Sequence, residues 1–260
     1  MNLGLGHKVV AITGGSAGIG KAVAMAFAEE GCLVSVCGRN QERLAALSVE
    51  FRKNGYPLCT VTADVSEQKD LERFAEATVQ QHGRIDIWIN NAGAIEPAPF
   101  EMLTFEQWDK VVKTNLKAVY FGSAIAAKHM RISGGGVIIN TSSFTSLVPT
   151  AGKALYSATK AAVNSLTQTL AIELASDKIR VVGVIPGYVH TEFTAANIAK
   201  NRDMLVSSIG LNRLSEPSDL IGAYLFLASD VVAGYISGIS LPVTGAKLCT
   251  QNPLWSWQKK

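Results

Sequence analysis

Tyr156 and Lys160 lie four residues apart in Leu155-Tyr-Ser-Ala-Thr-Lys-Ala161. On a helix, residues at i and i+4 share a face, so a phenol and an ammonium can enter one site. A phenol ordinarily loses its proton near pH ~10. A neighbouring cation favours the phenolate and brings the phenol closer to acid–base work at neutral pH. The spacing also arises by chance, so its weight rests on what else lies in register with it.

A second group of residues points to a phosphate ligand. The apolar run Lys8–Thr13 leads straight into Thr13-Gly-Gly-Ser-Ala-Gly-Ile-Gly20 and then a helical pattern. A strand–glycine turn–helix unit sets backbone N–H groups and a helix N-terminus against a pyrophosphate. Gly14, Gly18 and Gly20 permit a tight turn and an approach that a side chain would block. Glycine turns also serve purely structural ends; the place between first strand and first helix favours a nucleotide. The next strand ends at Cys37-Gly38-Arg39-Asn40. An acidic residue there would bind ribose hydroxyls. A guanidinium instead suits the 2′-phosphate of NADP, unless Arg39 merely opens the following helix.

The elements that must position these residues follow a regular alternation. Strands are expected at Lys8–Thr13, Leu33–Val36, Leu58–Thr62, Ile85–Asn90, Val137–Thr141, Ile179–Ile185 and Ile239–Val243. Helices are expected at Ile19–Glu30, Gln41–Lys53, Ser66–Gln81 with Ser66 as N-cap, Phe105–Met130, Ala154–Leu174, and Pro217–Ala228 with Pro217 in its first turn. This order implies an α/β fold: one Rossmann-type domain over residues 1–260, a doubly wound parallel sheet of about seven strands with helices on both faces. Thr191–Arg213 is long for a connection, and reads as a substrate lid or a surface excursion.

Composition narrows the function further. The 260 residues are 48% hydrophobic and 17% charged with a net charge of +3, a pattern for a buried globular core. The basic residues are scattered, so nucleic acid is not an expected partner. Cys32, Cys37, Cys59 and Cys249 form no CxxC and read as free thiols in preference to disulfides. His7, His82, His129 and His190 lack metal-ligand spacing, so no metal is expected. No signal peptide or membrane-length apolar run is apparent, and a cytoplasmic location is expected.

Taken in order, these motifs resemble the short-chain dehydrogenase/reductase family, in its compact NADP-preferring form, from Lys8 to about Gly245. The resemblance implies a nicotinamide cofactor, NADP(H), held by Gly14, Ser16, Gly18, Ile19 and Gly20 in the turn and by Arg39. Asp64 and Val65 would meet the adenine. Asn91, Ala92 and Gly93, from Asn90-Asn-Ala-Gly93, would lie beside the cofactor, with Pro186, Gly187, Val189 and Thr191 at the nicotinamide. Asn115, Ser143, Tyr156 and Lys160 would form the catalytic set, Tyr156 and Lys160 also touching the cofactor. Ser142 is the rival to Ser143, and the thirteen-residue spacing to Tyr156 selects Ser143. The family also implies a homotetramer, or a dimer, built on Phe105–Met130 and Ala154–Leu174. Two departures stand out. Val243-Thr-Gly-Ala246 replaces the usual Val-Asp-Gly-Gly, and the tail over 247–260, with Trp255 and Trp257, has no counterpart.

The implied reaction is hydride transfer between a nicotinamide and a carbonyl or secondary alcohol. Tyr156 would move the proton, Lys160 would hold the ribose and, with the positive charge of the oxidised nicotinamide, lower the phenol's pKa, Ser143 would orient the substrate oxygen, and Asn115 would position a water linking Lys160 to solvent. Ile95, Phe144, Leu147, Val148, Leu155, Tyr188 and Phe193 form an apolar candidate substrate wall, with Ser143 at its polar end. Glu96 and Lys153 lie near but cannot be aimed. The wording of Gly136-Val-Ile-Ile-Asn-Thr141 and Ile179-Arg-Val-Val-Gly-Val184 is similar to bacterial hydroxysteroid dehydrogenases, which favours a steroid or bile-acid-like substrate. The alternatives are a 3-oxoacyl thioester reductase and a non-catalytic nucleotide-sensing relative. A sugar-nucleotide epimerase would need a longer chain.

Overall fold

Seven strands form one sheet in the order β3-β2-β1-β4-β5-β6-β7, every neighbouring pair parallel. The computed structural model describes residues 2–249. The strands are β1 Val9–Thr13, β2 Leu33–Gly38, β3 Leu58–Thr62, β4 Ile87–Asn90, β5 Gly136–Thr141, β6 Ile179–Pro186 and β7 Ser240–Val243. Their central members are buried on both faces, which is why they read as unbroken apolar runs and not as alternating ones.

Helices cover both faces. They are α1 Gly18–Glu29, α2 Gln41–Lys53, α3 Gln68–His82, α4 Phe105–Val112, α5 Ala118–Ser133, α6 Ala154–Glu173, α7 Glu192–Ser207, α8 Ser218–Ala228 and the short α9 Asp230–Ala233. Val10, Ile12, Val34 and Val36 meet Phe27 of α1, Leu47 of α2 and Leu220 of α8 on one side. Ala11, Trp88 and Ile138 meet Phe74 of α3, Met130 of α5 and Ala171 of α6 on the other. Burying each large side chain of this kind contributes about 2 to 3 kcal/mol. A third, smaller cluster of Phe144, Ile185, Tyr188, Ile198, Leu205, Ile209 and Leu214 lies between α7 and the ends of β5 and β6.

The strand order reverses between β1 and β4. A crevice opens there beyond the carboxyl ends of the strands, the place where ligands bind in open α/β sheets. Both the glycine turn after β1 and the Asn90–Gly93 segment after β4 fall at this point.

Three expectations are corrected, and the Thr191–Arg213 stretch takes a defined form. Helix α3 starts at Gln68 with Glu67 as its N-cap, so Ser66 does not cap it. The Ser66 N–H instead donates to Asp64 Oδ1 at 2.9 Å, and the resulting turn delays the helix. The stretch expected as one helix over Phe105–Met130 runs on to Ser133 and is broken by a wide, π-helical turn at Lys113–Lys117. Thr191–Arg213 is largely helix α7, kinked at Asn201, where φ is −132° and ψ 20°. Only Ile198 and Leu205 of that helix are buried, too few to give a clear apolar period. Pro217 sits at the N-cap of α8 and not within its first turn. The tail expected to be atypical lies outside the described residues beyond Cys249.

Candidate active site

The glycine turn is built by contacts that leave no room for side chains. Gly14 has φ +65°, and a Cβ there would lie 2.9 Å from Ala92 Cα. A Cβ on Gly20 would lie 2.3 Å from the Gly14 carbonyl oxygen and 2.5 Å from Asn91 Nδ2. Asn91 Nδ2 donates to the carbonyls of Thr13 and Gly14 at 3.1 and 3.2 Å. The Thr13 hydroxyl oxygen accepts from the N–H groups of Asn91 and Ala92. The turns after β1 and β4 are thereby locked together.

Helix α1 begins at this turn with Ala17 as its N-cap. No side chain caps it, and no acidic residue stands in its first turn. Its first N–H groups and the positive end of its dipole therefore suit an anion, and the tight cradle fits a dinucleotide pyrophosphate. Thr191 comes to the same place: a Cβ on Gly18 would lie 3.2 Å from its Cγ2. Gly38 abuts Ser16, whose Oγ would lie 2.9 Å from a Cβ there. Arg39 is largely exposed, its guanidinium 3.9 Å from Asp64 Oδ2. Val65 is buried behind Asp64. Pro186 and Gly187 end β6, where Gly187 packs on Thr244, and Val189 pairs with Ser215. Gly14, Ser16, Gly18, Gly20, Arg39, Asp64, Asn91, Ala92 and Thr191, predicted from sequence for the cofactor, thus line or brace one crevice.

The chemical residues gather where β5 ends against α6. Lys160 is 3% exposed and donates from Nζ to the Thr141 carbonyl at 2.7 Å. Its ammonium lies 5.9 Å from the centre of the Tyr156 ring. The Ser143 hydroxyl faces the Tyr156 phenol closely enough to lower its pKa. Ser143 Oγ itself accepts from the Thr145 N–H at 3.3 Å and from the Thr145 hydroxyl at 3.1 Å. Those two donors occupy its lone pairs and leave its own hydrogen for the phenol or a substrate oxygen. Ser142 points elsewhere, donating to the Lys160 carbonyl at 3.1 Å. The rivalry between the two serines is decided by geometry in favour of Ser143.

Asn115 sits fully buried in the π-helical turn. Its Oδ1 accepts from the Ala94 N–H, while Nδ2 donates to the Ala94 carbonyl and to Thr159 Oγ1. Both amide hydrogens are spent on clamping the segment after β4 to α6. The expected water-positioning task therefore has no side-chain donor left to perform it. Asn90 is a further hub: it accepts from Trp88 Nε1 and donates to Ser123 Oγ and Asn140 Oδ1.

Burial shifts both members of the pair. Burial pushes the Tyr156 phenol up to about 12, opposed by the Ser143 hydroxyl. Burial also pulls the Lys160 ammonium down to about 8. The Lys160 ammonium is turned to the Thr141 carbonyl, and the desolvated phenol is shifted chiefly by its own burial. The phenol is held as an acid at neutral pH.

The candidate substrate wall is divided. Phe144 and Tyr188 stack at 4.7 Å and are mostly buried, so Phe144 serves as packing under the wall. Phe193 faces the Tyr156 ring at 6.4 Å and is half exposed. Leu147 and Val148 are about equally exposed, Ile95 is intermediate and Leu155 buried. Glu96 is paired with Lys110 and so is not aimed inward as a free carboxylate. Lys153 lies 5.7 Å from the Tyr188 ring centre. Lys247, which sequence reasoning missed, lies 5.4 Å from that ring and 5.6 Å from Phe144. Nothing in its local sequence marks it. Ala246 before it adopts φ +65°, a conformation that suits the glycine it replaces. Among the described residues no cluster of histidines, cysteines or carboxylates could hold a metal, and no helix is long and apolar enough to cross a membrane.

Residues 8–202 match the model of the short chain dehydrogenase family. The chain belongs to the short-chain dehydrogenase/reductase family. It is an oxidoreductase of that family, whose members use nicotinamide nucleotides. It is 40% identical over 245 residues to a 3alpha-hydroxysteroid dehydrogenase of Mediterraneibacter gnavus, covering 93% of this chain and 97% of that one. A 3-oxoacyl-[acyl-carrier-protein] reductase of Thermotoga maritima is 34% identical over 238 residues, covering 92% and 96%. Among solved structures, a 7 alpha-hydroxysteroid dehydrogenase complexed with NADH and 7-oxo glycochenodeoxycholic acid superposes with a TM-score of 0.89 at 31% identity. That match covers 94% of this chain and 95% of that one.

Proposed function

We propose that this protein is an NADP(H)-dependent oxidoreductase that interconverts a ketone and a secondary alcohol on a largely apolar substrate such as a hydroxysteroid. The observation that carries the reading is the Ser143–Tyr156–Lys160 arrangement, a neutral phenol and a hydroxyl donor beside a buried ammonium. Similarity to hydroxysteroid dehydrogenases and the apolar wall of Phe193, Leu147 and Val148 support the substrate class. A 3-oxoacyl thioester is the second reading, supported by the similarity to an acyl-carrier-protein reductase.

The nicotinamide, when bound, supplies or accepts the hydride and, once oxidised, places a positive charge beside the phenol. The protein's own residues do the rest. Ser143 donates a hydrogen bond to the substrate oxygen and fixes it against Tyr156 Oη. In reduction Tyr156 gives its proton to that oxygen as negative charge develops; in oxidation it takes the proton back. Lys160 would hold the ribose, and Asn115 steadies the Ala94 segment. Ser16 and Arg39 would hold the 2′-phosphate. Helix α7 acts as a lid over the substrate, and residues 1–260 act as one domain. The apolar strip of half-buried Leu116 and Leu166 with exposed Tyr120 supports assembly of a homotetramer through α5 and α6.

A panel of ketones assayed with NADPH and NADH tests this reading. Tyr156→Phe is expected to lower turnover about 10²- to 10⁴-fold, the usual contribution of a general acid, with cofactor affinity near that of the parent. Comparable turnover in the variant refutes the role of the phenol and admits the non-catalytic reading. Arg39→Asp is expected to move preference toward NADH. Unchanged NADPH preference removes Arg39 from the site.

A further inference from the structure

We propose that the substrate carries a carboxylate, and that Lys153 and Lys247 form the subsite that receives it. This rests on the reading of the crevice as the substrate site and specifies what the far end of the substrate must be.

The two lysines come from distant parts of the chain. Lys153 is the N-cap of α6, three residues before Tyr156. Lys247 follows β7. Both ammonium groups stand over one ring, that of Tyr188, at 5.7 and 5.4 Å, and Lys247 also stands over Phe144, the neighbour of Ser143. The aromatic pair thus joins the serine that would hold the reacting oxygen to a doubly cationic patch.

Neither cation has a counter-ion among the described residues. Lys247 donates to Ser208 Oγ at 2.8 Å and weakly to the Ser208 carbonyl, which leaves an ammonium hydrogen unused. Lys153 makes no hydrogen bond through its ammonium and no ion pair among the described residues. Of the carboxylates on the surrounding elements, Glu96 pairs with Lys110, Glu192 with Arg43, Glu216 with His190 and Asp219 with Arg213, while Asp203 of α7 is exposed and forms no ion pair with either lysine. Residues 250–260 contain no Asp or Glu side chain.

Two half-buried like charges around one ring repel each other and lose hydration. Burial lowers the pKa of both lysines, which is the direction expected of cations without an anion. A ring face returns only part of that cost. A carboxylate beside the Tyr188 ring, meeting either ammonium, would restore the lost hydration with a charge-assisted hydrogen bond and offset the net positive charge. The remaining wall is apolar, so the matching ligand has an apolar body, a carbonyl or hydroxyl at the Tyr156 end and an anionic end remote from it.

The test uses the full chain with NADP⁺ and two matched pairs of probes, cholanoate with cholanamide and 4-phenylbutyrate with its amide, titrated by calorimetry. The acid of at least one pair is expected to bind tenfold or more tightly than its amide, with the margin shrinking at high salt. In Lys153→Met/Lys247→Met the ratio should fall to about one, and in Lys247→Arg, which keeps the charge, it should persist. Thermal unfolding reports that each variant is folded. Acids that bind no better than their amides, or do not bind, overturn the proposal, as does a preference that survives the double substitution. An acid preference in a protein that reduces no ketone would keep this subsite and refute the proposed reaction instead.

Discussion

Replacing Lys160 with methionine should stabilise the protein at neutral pH while abolishing its chemistry. The ammonium is 3% exposed and burial lowers its pKa to about 8. An unfolded lysine titrates near ~10.4. Between these values the unfolded chain holds a proton that the folded one has released, so stability rises with pH across that window. Below pH ~8 the folded protein bears the full cost of the buried charge, about 3 kcal/mol from the shift between the two values. Methionine removes that cost but forfeits the hydrogen bond to the Thr141 carbonyl, about 1 to 2 kcal/mol. The expected net gain is about 1 to 2 kcal/mol at pH 7, and it should disappear or reverse by pH ~10. Urea unfolding of both proteins, followed by fluorescence at steps from pH 7 to pH 10, gives the difference directly. A difference that stays constant with pH would refute the claim that Lys160 is penalised by burial, and a loss of stability at pH 7 would show the hydrogen bond to be the larger effect.

Gly20→Ala would place a methyl 2.3 Å from the Gly14 carbonyl, so it should cost about 1 to 3 kcal/mol and weaken dinucleotide binding, read by thermal unfolding and cofactor titration. Asn90→Leu leaves Trp88 Nε1, Ser123 and Asn140 without their buried partner and should cost about 3 kcal/mol in urea unfolding. A loss below 1 kcal/mol would deny the hub its importance. Thr145→Val removes one of the two donors that turn the Ser143 hydrogen outward. It should lower kcat about tenfold with little change in KM, while Thr145→Ser restores it.

The motifs that could be read from sequence are those whose geometry is local. A glycine turn, a helix face holding Tyr156 and Lys160, and buried strands of Val and Ile carry their reason in nearest neighbours along the chain. The parallel sheet with helices on both faces followed from the alternation of strands and helices, and the order of its strands came from the structure. Helix α7 was obscured because it buries too few residues to show a period, and the π-helical turn at Lys113–Lys117 because it interrupts a helical pattern without changing its composition.

What the sequence by itself determined is the fold, the family, and which side chains could carry the proton. What only the tertiary structure decided is the sign of the phenol's pKa shift, the choice of Ser143 over Ser142, the clamping of Ala94 by Asn115, and the meeting of Lys153 with Lys247 over Tyr188. Desolvation and charge pairing depend on everything packed around a group, from every part of the chain at once. Spacing along the sequence records only the neighbours on the same element.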